Sequence, residues 1–535
     1  MMKKNIMMTC AVGSLLLATS CVELDQLPQS FLTEEEYIET PQTLDVVAKA
    51  VSGVYKDMWN GNYGFSCRIL RYSTAAGDIV PLVTKPNNDM LYLYNMTPTT
   101  SGSVKDVTAL WKNFWDVISS SNKIIGGTPI PEDQAEAAKY KAVVAEARFM
   151  RALAYFHLVR MFGDVPFIAS SGETFEDKLP RVPVARIYDE IIVPDLTIAC
   201  ADLPATSRTG DAGSPSQWAA KTCLADVNLT MAGWPLKRDT YAEAARLAKD
   251  VIEKSGLTLT KKYGDLWKED KKHEANEHLF AIMNSVAYKT PSQYGKSFYP
   301  NTHAKYPGWG DYFANPKFVE SCPNDDRKAW NFELAWDEKV GGKVKHVTYQ
   351  ESVNKLPLIS KYRDYNEVNK KGVLSQLSNG LTTVYRLADT YLIYAEASTL
   401  ATKKVDDLAA RCLRQLQERG NVPEAERTQT TDPEAFDKAV FKERGIELYA
   451  EGKRWFDYIR REKAAEIKEF RYVDEVSGIT DPFAQSVYKK EGHYYLPFLR
   501  TKCKWPDGKT IRVIDYFLSR LPGGYSWSAH VRESR

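Results

Sequence analysis

The chain has 535 residues, of which 44% are hydrophobic and 26% are charged, a composition typical of a globular protein with a sizeable core. Its 71 Lys and Arg residues nearly balance its 69 Asp and Glu residues. Without the first 21 residues, which hold Lys3 and Lys4 and no acid, the balance is complete. Net charge therefore gives no ground for binding to nucleic acid or anionic lipid, and no nucleic-acid partner is expected.

The first 21 residues have the pattern of a secretory lipoprotein signal. Two lysines precede an apolar run over 6–18 that is too short for a membrane span, which needs about 20 residues. Cys21 follows three small residues, an order that resembles a lipobox, although the usual leucine stands one position too early. We predict a signal peptide over 1–21 that ends at a lipidated Cys21. An ordinary cleaved signal with an incidental cysteine is the alternative.

Residues 22–40 are polar and acidic, which predicts a flexible tether. Glu23 and Asp25 resemble the acidic surface-export signal of Bacteroidota lipoproteins, which implies a position facing outside on the cell outer membrane. No later apolar run is long and uncharged enough to span a membrane. The lipid is therefore the predicted membrane attachment, to which each buried CH₂ contributes roughly 0.8 kcal/mol.

Six further cysteines are scattered along the chain without a C-x-x-C motif, which is neither a zinc pattern nor a dense disulfide framework. We predict buried free thiols at these positions, and neither a metal site nor a cofactor. The six are Cys67, Cys200, Cys223, Cys322, Cys412 and Cys503.

Helical periodicity is present over 44–59 and again over 104–125. Between them, residues 61–103 are rich in Gly, Pro, Asn and Thr, which predicts loops and short strands. The next predicted helix, over 145–166, is apolar nearly all round, so we expect it to be buried between neighbours. Gly163 fits its C-cap, and a proline three residues later blocks its continuation.

An antiparallel partner helix is predicted over 185–203, interrupted near Pro194, and a helix–turn–helix pair over 216–233 and 240–255. Residues 257–380 are mixed, loop-rich and aromatic. Apolar periodicity then predicts further helices over 381–399, 405–419, 433–452 and 453–463.

Helix pairs of about 34–40 residues with alanine seams resemble tetratricopeptide packing. The predicted fold class is mostly α. Tetratricopeptide-like helix pairs at about 104–255 and 381–462 form a spine, with loop-rich mixed insertions at about 61–103 and 257–380. Because the repeats are interrupted, residues 41–535 are predicted to form a single globular domain.

Four stretches, in this order, resemble the SusD/RagB family of outer-membrane lipoproteins. The last departs from the family's usual Asn-Pro-Gly-Tyr close, and a usual Leu-Pro-Ile-Pro stretch appears as the Leu-Pro-Phe-Leu of 496–499. The four are EARFMRALAYFHLVRMFGDVPFI (146–168), YRLADTYLIYAEA (385–397), ERGIELYAEGKRWFDYIRR (443–461) and RLPGGYSW (520–527).

The resemblance implies a lipid-anchored surface protein that caps a SusC-like TonB-dependent transporter. It implies that the protein binds an oligosaccharide, or a peptide in RagB-like members, and passes it inward. The resemblance implies no covalent chemistry, so we expect no enzyme activity and assign no catalytic residue.

The charged and aromatic residues of these motifs are most simply structural. Arginines on buried helices usually bond to carbonyls or carboxylates of neighbouring elements, so the motifs identify the fold and do not mark a site. The residues meant are Arg148, Arg386, Glu447, Arg454 and Trp455.

Sugar binding needs flat aromatic faces and planar polar groups. In glycan-binding members of this family, contacts come from the loops after the first helix and from the irregular middle region, here 68–95 and 288–326. Trp309 is the leading candidate, because glycines on both sides would free its indole face; core packing or the transporter contact is the alternative role. The full set of predicted ligand-binding residues is Asp78, Asn88, Tyr92, Tyr94, Tyr299, Tyr306 and Trp309.

Two other functions are compatible with parts of the sequence. A secreted hydrolase is one, but His273 and His278 are five residues apart and cannot share a helical face as a zinc motif requires. Ser120 and Lys123 resemble a serine–lysine pair whose partner motifs are missing, and Asp325-Asp326 is expected to be a solvated turn. The other is a helical-repeat scaffold that binds only protein.

Overall fold

A computed structural model of the chain describes most residues between 42 and 512. The predicted signal peptide, Cys21, the tether and the stretch 520–527 lie outside the described residues. The described ranges are 42–59, 65–84, 88–96, 105–170, 179–273, 276–292, 294–363, 378–474, 476–480, 495–496, 502–504 and 510–512.

The described residues are mostly helical, as the sequence predicts. The α-helices are α1 (Leu44–Trp59), α2 (Phe65–Ser73), α3 (Asn88–Asn95), α4 (Lys105–Gly127), α5 (Gln134–Phe162), α6 (Val184–Ile187), α7 (Val193–Asp202), α8 (Gln217–Ala232), α9 (Tyr241–Lys254), α10 (Tyr294–Phe298), α11 (Pro316–Ser321), α12 (Asp326–Asn331), α13 (Leu387–Thr402), α14 (Asp407–Arg419), α15 (Pro433–Glu447) and α16 (Arg454–Arg460).

The long central helix is confirmed and begins earlier than predicted. Asp133 caps its start by accepting a hydrogen bond of 2.8 Å from the Glu136 N–H. Its end is fixed at Gly163, whose φ of 71° favours glycine and whose N–H donates to the Val159 carbonyl. The helix packs against α1, α4 and α7, so both of its flanks are buried.

The spine grows by stacking successive helices, the tetratricopeptide-like arrangement that the sequence predicts. Helix α7 packs on α8, α8 on α9, α9 on α13, and α13 on both α14 and α15. The interruption predicted near Pro194 is a π-helical segment, Tyr188–Ile192, between α6 and α7. It lets the chain continue as a helix with the proline in the first turn of α7.

Short antiparallel strand pairs complete the fold. In the described residues these are β1 (Ile79–Pro81) with β5 (Tyr312–Ala314), β2 (Val165–Pro166) with β3 (Arg181–Val182), β4 (His278–Met283) with β10 (Leu381–Arg386), β6 (Phe332–Glu333) with β9 (Leu358–Ile359), β7 (Ala335–Val340) with β8 (Lys343–Thr348), and β11 (Lys502–Lys504) with β12 (Thr510–Arg512).

Two local predictions differ from the structure. The first six residues of the helix predicted over 381–399 form strand β10, because β4 offers them a partner and Thr382, Thr383 and Val384 are β-branched. Helices α2 and α3 lie in the stretch 61–103, where the sequence predicts loops and short strands.

Buried ion pairs tie the spine together. Arg386, at the end of β10, donates to Glu447 at 2.6 Å and to Glu277 at 2.8 Å, and Glu447 also accepts from Arg419 and Arg327. These side chains are almost fully buried. Burial alone would raise the pKa of Glu447, but Arg419, Arg386 and Arg327 hold that pKa well below its ordinary value.

A second ionic cluster lies between α13, α15 and α16. Arg444 donates to Asp389 at 3.0 Å and to Asp457 at 3.1 Å. Arg460 donates to Asp457 at 2.8 Å and to Glu396 at 2.7 Å. The charges buried between these helices are therefore paired with opposite charges.

The remaining motif residues also have structural contacts, as the sequence predicts. Arg148 donates to Asp195 at 2.9 Å, and Arg454 donates to the Phe441 carbonyl at 2.8 Å. The Trp455 indole is fully buried and donates to a tyrosine hydroxyl at 3.1 Å.

The hydrophobic core has two main parts. One fills the spine, and the other lies under the loop-rich region, where Tyr94, Phe298 and Tyr312 are buried together. Among the described residues, no helix combines the length and the apolar character needed to cross a membrane.

Candidate functional site

The loop over 299–311, which contains the leading candidate Trp309, folds back onto the short helix α10 that precedes it. The Trp309 N–H donates to the Lys296 carbonyl at 2.6 Å, and the Asp311 N–H donates to the Ser297 carbonyl at 2.7 Å. The loop is therefore fixed by its own backbone hydrogen bonds, and Trp309 has a defined position.

The two glycines beside Trp309 have a different role from the one that the sequence indicated. A Cβ on Gly308 would lie 2.4 Å from the Tyr299 carbonyl oxygen and 2.5 Å from that of Lys296. Gly310 has a φ of +64°, and a Cβ there would lie 2.9 Å from Pro300 Cα. The glycines allow the loop backbone to lie directly against α10, and this contact places the indole outward.

Of the predicted site residues whose side chains the structure describes, Trp309 and Tyr306 reach solvent. The Trp309 side chain is 39% exposed, and the Lys296 ammonium lies 4.5 Å from its ring centroid. Tyr306 is partly buried; its ring stacks on His303 with a centroid distance of 5.5 Å, and Lys305 lies 4.9 Å from its centroid. The loop thus presents two rings, each with a lysine over it.

Buried polar contacts hold this loop on the β7–β8 hairpin. The His303 ring is buried, and its Nδ1 accepts from the Lys305 and Tyr306 N–H groups at 3.2 Å and 2.9 Å. The Glu338 carboxylate, also buried, accepts from the Thr302 hydroxyl at 2.8 Å. A surface supported in this way can bind a ligand without first becoming ordered.

The other predicted site residues lie in the core or beyond the described side chains. Tyr299 is 1% exposed and Tyr94 is 0% exposed, and both belong to the core under the loops. Tyr92 is 6% exposed and belongs to the spine core. Asn88 begins α3, and its side chain is outside the described part. The structure therefore groups Trp309 and Tyr306 with the buried Tyr299, whose ring touches Tyr306, and leaves the rest apart.

Asp78 is also buried, which is unusual for a carboxylate without a close basic partner. It is 3% exposed, and burial raises its pKa to about 6, against the opposing effect of Arg454 and of backbone N–H groups. Its contacts lie inside the protein, and it presents no oxygen to a surface ligand.

The helix α3 explains why the tyrosines of the first predicted loop are buried. The Tyr94 hydroxyl donates to the Tyr472 carbonyl at 3.0 Å, and the Arg471 guanidinium lies 4.0 Å from the Tyr94 ring centroid. These partners are almost 400 positions away in the chain, so no local pattern could have indicated them.

The two lysines over the rings were not singled out from the sequence. A signal was present: residues 294–310 contain Lys296 and Lys305 and no acid. Tyr288, 85% exposed in the turn over 285–290, is a further accessible ring. It is one of many aromatic residues in 257–380, and the sequence did not single it out.

A separate apolar pocket of about 200 Å³ lies at the end of α1. Tyr55, Trp59 and Phe280 are among its lining residues, and Thr290 forms part of its edge. Thr290 is two positions from Tyr288 in the sequence, and neither Trp309 nor Tyr306 lines this pocket.

The motifs weighed for catalysis have structural partners. His278 lies buried in β4 and contacts the Leu266 carbonyl at 3.2 Å, whereas His273 is exposed. The Ser120 hydroxyl donates to Asp57 at 2.7 Å. Asp325 is buried, caps α12 and binds Arg327, so the expectation of a solvated acidic turn is wrong for it.

No metal-binding or thiol chemistry is evident in the described part of the chain. It contains no group of three or more His, Cys, Asp or Glu side chains arranged to hold a metal ion. The cysteines whose side chains are described are free thiols, three of them buried as predicted and Cys200 partly buried. Burial raises the pKa of the Cys223 thiol to about 12, which makes it unreactive at neutral pH.

Comparisons with known proteins agree with this architecture. A model of the SusD family matches residues 348–501, and a model described as starch-binding associating with outer membrane matches residues 30–229. A SusD-like protein of Bacteroides ovatus is 26% identical over 491 residues, which are 86% of this chain and 82% of that protein.

Solved structures show the same fold. The crystal structure of a SusD superfamily protein from Parabacteroides distasonis matches with a TM-score of 0.71 and 26% identity, over 85% of this chain and 96% of that one. The surface glycan-binding protein A from Bacteroides uniformis matches with a TM-score of 0.68 and 20% identity, over 85% and 96% of the two chains.

Proposed function

Because this chain belongs to the SusD-like family, we propose that it binds an oligosaccharide at the surface formed by Trp309 and Tyr306. The observation that carries the proposal is an exposed indole held on a rigid loop. The name of the Bacteroides uniformis neighbour, a surface glycan-binding protein, supports the ligand class. The apolar face of a pyranose ring is the natural partner of such an indole.

The expected affinity is low. Shielding about 50 Å² of apolar surface at about 25 cal/mol per Å² stabilises a stacked sugar ring by about 1 kcal/mol. A few such contacts give dissociation constants in the range of about tens of micromolar to millimolar. A polymer that reaches several copies of the protein would bind more tightly through avidity.

The test is calorimetric titration of the purified protein with polysaccharide fragments and with peptide pools. Trp309→Ala should weaken binding of the best ligand about fivefold or more. Trp218→Ala is the matched control, because that partly buried indole lies on helix α8 of the spine and also has a lysine over its ring. Equal affinity in the wild type and Trp309→Ala would remove Trp309 from the site, and binding of peptides alone would favour the RagB-like alternative.

We also propose that the ligand is passed on uncleaved to a SusC-like TonB-dependent transporter, from a lipid anchor at Cys21 on the outer membrane. The signal pattern over 1–21 and the outer-membrane wording of the matching family model support this location. Co-purification of a large outer-membrane barrel with the tagged protein is the expected result. A Cys21→Ala variant should leave the membrane fraction, and a chain that stays in that fraction would contradict the lipid anchor.

We propose that the protein has no hydrolase activity. The surface around Trp309 offers lysines and tyrosines, and the nearby carboxylates are buried or paired. A glycosidase needs two carboxyl groups on either side of the bond that breaks. Incubation of the best ligand with the protein for a day should release no new reducing ends, and their appearance would overturn this part of the proposal.

A further inference from the structure

The charged side chains of residues 294–310, around the two rings, include two lysines and no carboxylate. Lys296 and Lys305 lie over the Trp309 and Tyr306 rings, and residues 294–310 contain no acid. Within the described residues, no carboxylate lies within salt-bridge distance of either ammonium group. These lysines are therefore available to a ligand.

The β7–β8 hairpin, which supports the loop, extends the same charge. Backbone hydrogen bonds join the two: the Ala304 N–H donates to Asp337 and the Lys339 N–H to Thr302, both at 2.7 Å. Lys339 and Lys343 are exposed on the hairpin.

The acids near this surface are engaged elsewhere. Asp337 contacts His346 at 2.9 Å, and Glu338 is buried and accepts from the loop. Asp311, the last residue of the loop, accepts from the Ser297 hydroxyl at 3.2 Å and lies 3.6 Å from Arg71. Glu351 accepts hydrogen bonds of 3.0 Å from the Thr348 N–H and hydroxyl, which lower its pKa. The surface thus keeps exposed ammonium groups, while each of these carboxylates has another contact, as does Glu333, 3.6 Å from the His303 Nε2.

A neutral sugar stacking on the indole face that Lys296 covers would have to displace the lysine from it. Displacing a cation from an aromatic face loses about as much as one stacked ring gains, so the exchange is close to balanced. A sugar that carries a carboxylate or sulfate gives the displaced ammonium a new partner through a charge-assisted hydrogen bond. The arrangement of ring and lysine therefore discriminates in favour of anionic sugars.

We infer that the ligand is an anionic oligosaccharide, whose charged groups pair with Lys296 and Lys305 while its rings contact Trp309 and Tyr306. This inference rests on the proposed glycan binding. Uronic acids and sulfate esters share the required chemistry, and the experiment separates these two sources of charge.

The experiment titrates the purified protein with two matched pairs of probes. One pair is oligogalacturonides and the same oligomers with their carboxyl groups reduced to alcohols. The other is carrageenan oligosaccharides and their desulfated counterparts. At least one anionic probe should bind tenfold or more tightly than its neutral counterpart, and this advantage should shrink in 0.5 M salt because exposed charges are screened.

Variants locate the effect. Lys296→Gln and Lys305→Gln should each weaken binding of the anionic probe about three- to tenfold, and Lys296→Arg should retain it. Lys249→Gln, an exposed lysine on spine helix α9, is the control and should change nothing.

The outcomes are distinguishable. Neutral probes that bind as tightly as their anionic counterparts, in a Trp309-dependent way, would overturn the inference and leave the proposed function standing. An anionic preference unchanged in both lysine variants would also overturn it, since the anionic groups of the probe would then bind to other residues. No binding to any probe or neutral polysaccharide would overturn the inference and the proposed function together.

Discussion

Among the tryptophans with a lysine over the ring, Trp218 and Trp309 lie in two different regions of this protein. On spine helix α8, Lys221 lies 4.8 Å from the Trp218 ring centroid and also forms an ion pair with Asp250. At the loop, Lys296 of helix α10 lies 4.5 Å from the Trp309 centroid, and no carboxylate of the described residues lies within salt-bridge distance of it. The lysine over Trp218 in the spine therefore has a carboxylate partner as well as the ring, whereas the lysine over Trp309 has the ring without a carboxylate partner among the described residues.

This difference extends to the whole of the two regions. In the spine, charges such as Arg386 and Glu447 are buried and bonded to several opposite charges. On the loop surface, Lys305, Lys339 and Lys343 are exposed, and Lys296 is partly buried. The spine therefore uses charge to fix one packing arrangement, and the loop keeps charge for a ligand.

The largest effect on stability is expected from Glu447→Gln. The change keeps the shape of the side chain but leaves Arg386, Arg419 and Arg327 without their shared buried carboxylate. The free energy of unfolding should fall by about 3–5 kcal/mol in chemical denaturation. On the same helix, Glu434→Gln removes an exposed pair with Lys438 and should change it by less than about 0.5 kcal/mol. Equal effects at the two positions would break the comparison.

The spine should lose stability in acid. Burial opposes ionisation of Glu396, but Arg460 and Arg461 hold its pKa at about 2, below its ordinary value of 4.5. Its contribution is therefore fully present above about pH 4.5 and is lost as pH falls through about 2. The free energy of unfolding should drop by about 3 kcal/mol over this window from this group, measured by denaturation at several pH values. Glu396→Gln should be less stable at pH 7 and show a flatter acid limb.

Asp78, in the core beneath the loops, should have the opposite pH dependence. Burial raises its pKa from 3.8 to about 6, so its stabilising contribution is present below about pH 3.8 and is lost as pH rises through about 6. Relative to the wild type, Asp78→Asn should therefore gain about 2–3 kcal/mol of stability between pH 4 and pH 7.5. A stability difference that does not vary with pH would show that folding does not raise the pKa of Asp78.

The spine was predictable from the sequence because its signals are local. Apolar periodicity indicates the helices, and Gly163 fixes the end of α5 within the predicted stretch. The structural role of Arg386 was also predictable, since a charge on a buried element needs a partner. The strand Leu381–Arg386 was not predictable, because a short apolar run is compatible with a helix or a strand until its partner β4 is known.

The ligand surface was predictable only in part. Trp309 stood out because glycines flank it, although the glycines serve the backbone contact with α10. The burial of Tyr92, Tyr94 and Tyr299 could not be predicted from composition, because a tyrosine in a polar stretch can face solvent or pack on a distant element. Tyr94 is buried by residues from the other end of the chain.

A smaller effect is expected from Gly308→Ala in the loop. A Cβ there would meet two backbone carbonyl oxygens at 2.4 Å and 2.5 Å, so the loop must move away from α10. Stability should fall by about 1–3 kcal/mol, and glycan affinity should fall with it because Trp309 is displaced. Gly341→Ala at the hairpin tip has a φ of +57° but nothing within 4 Å, and it should lose at most about 1 kcal/mol with affinity unchanged. If Gly341→Ala weakened binding equally, loop placement would not be what Gly308 controls.

The smallest effect on stability is expected from Lys296→Gln. It removes a partly buried cation from the face of an exposed ring, a contact that contributes about 0.5–1 kcal/mol at most. The melting temperature should therefore stay close to that of the wild type, while neutral sugars gain access to the indole and bind equally or more tightly. Lys221→Gln in the spine removes a similar contact together with the ion pair to Asp250, and it should lower stability more. If Lys296→Gln destabilised the protein as much as Lys221→Gln, Lys296 would have a structural role. Its ammonium group would then not be available for a ligand.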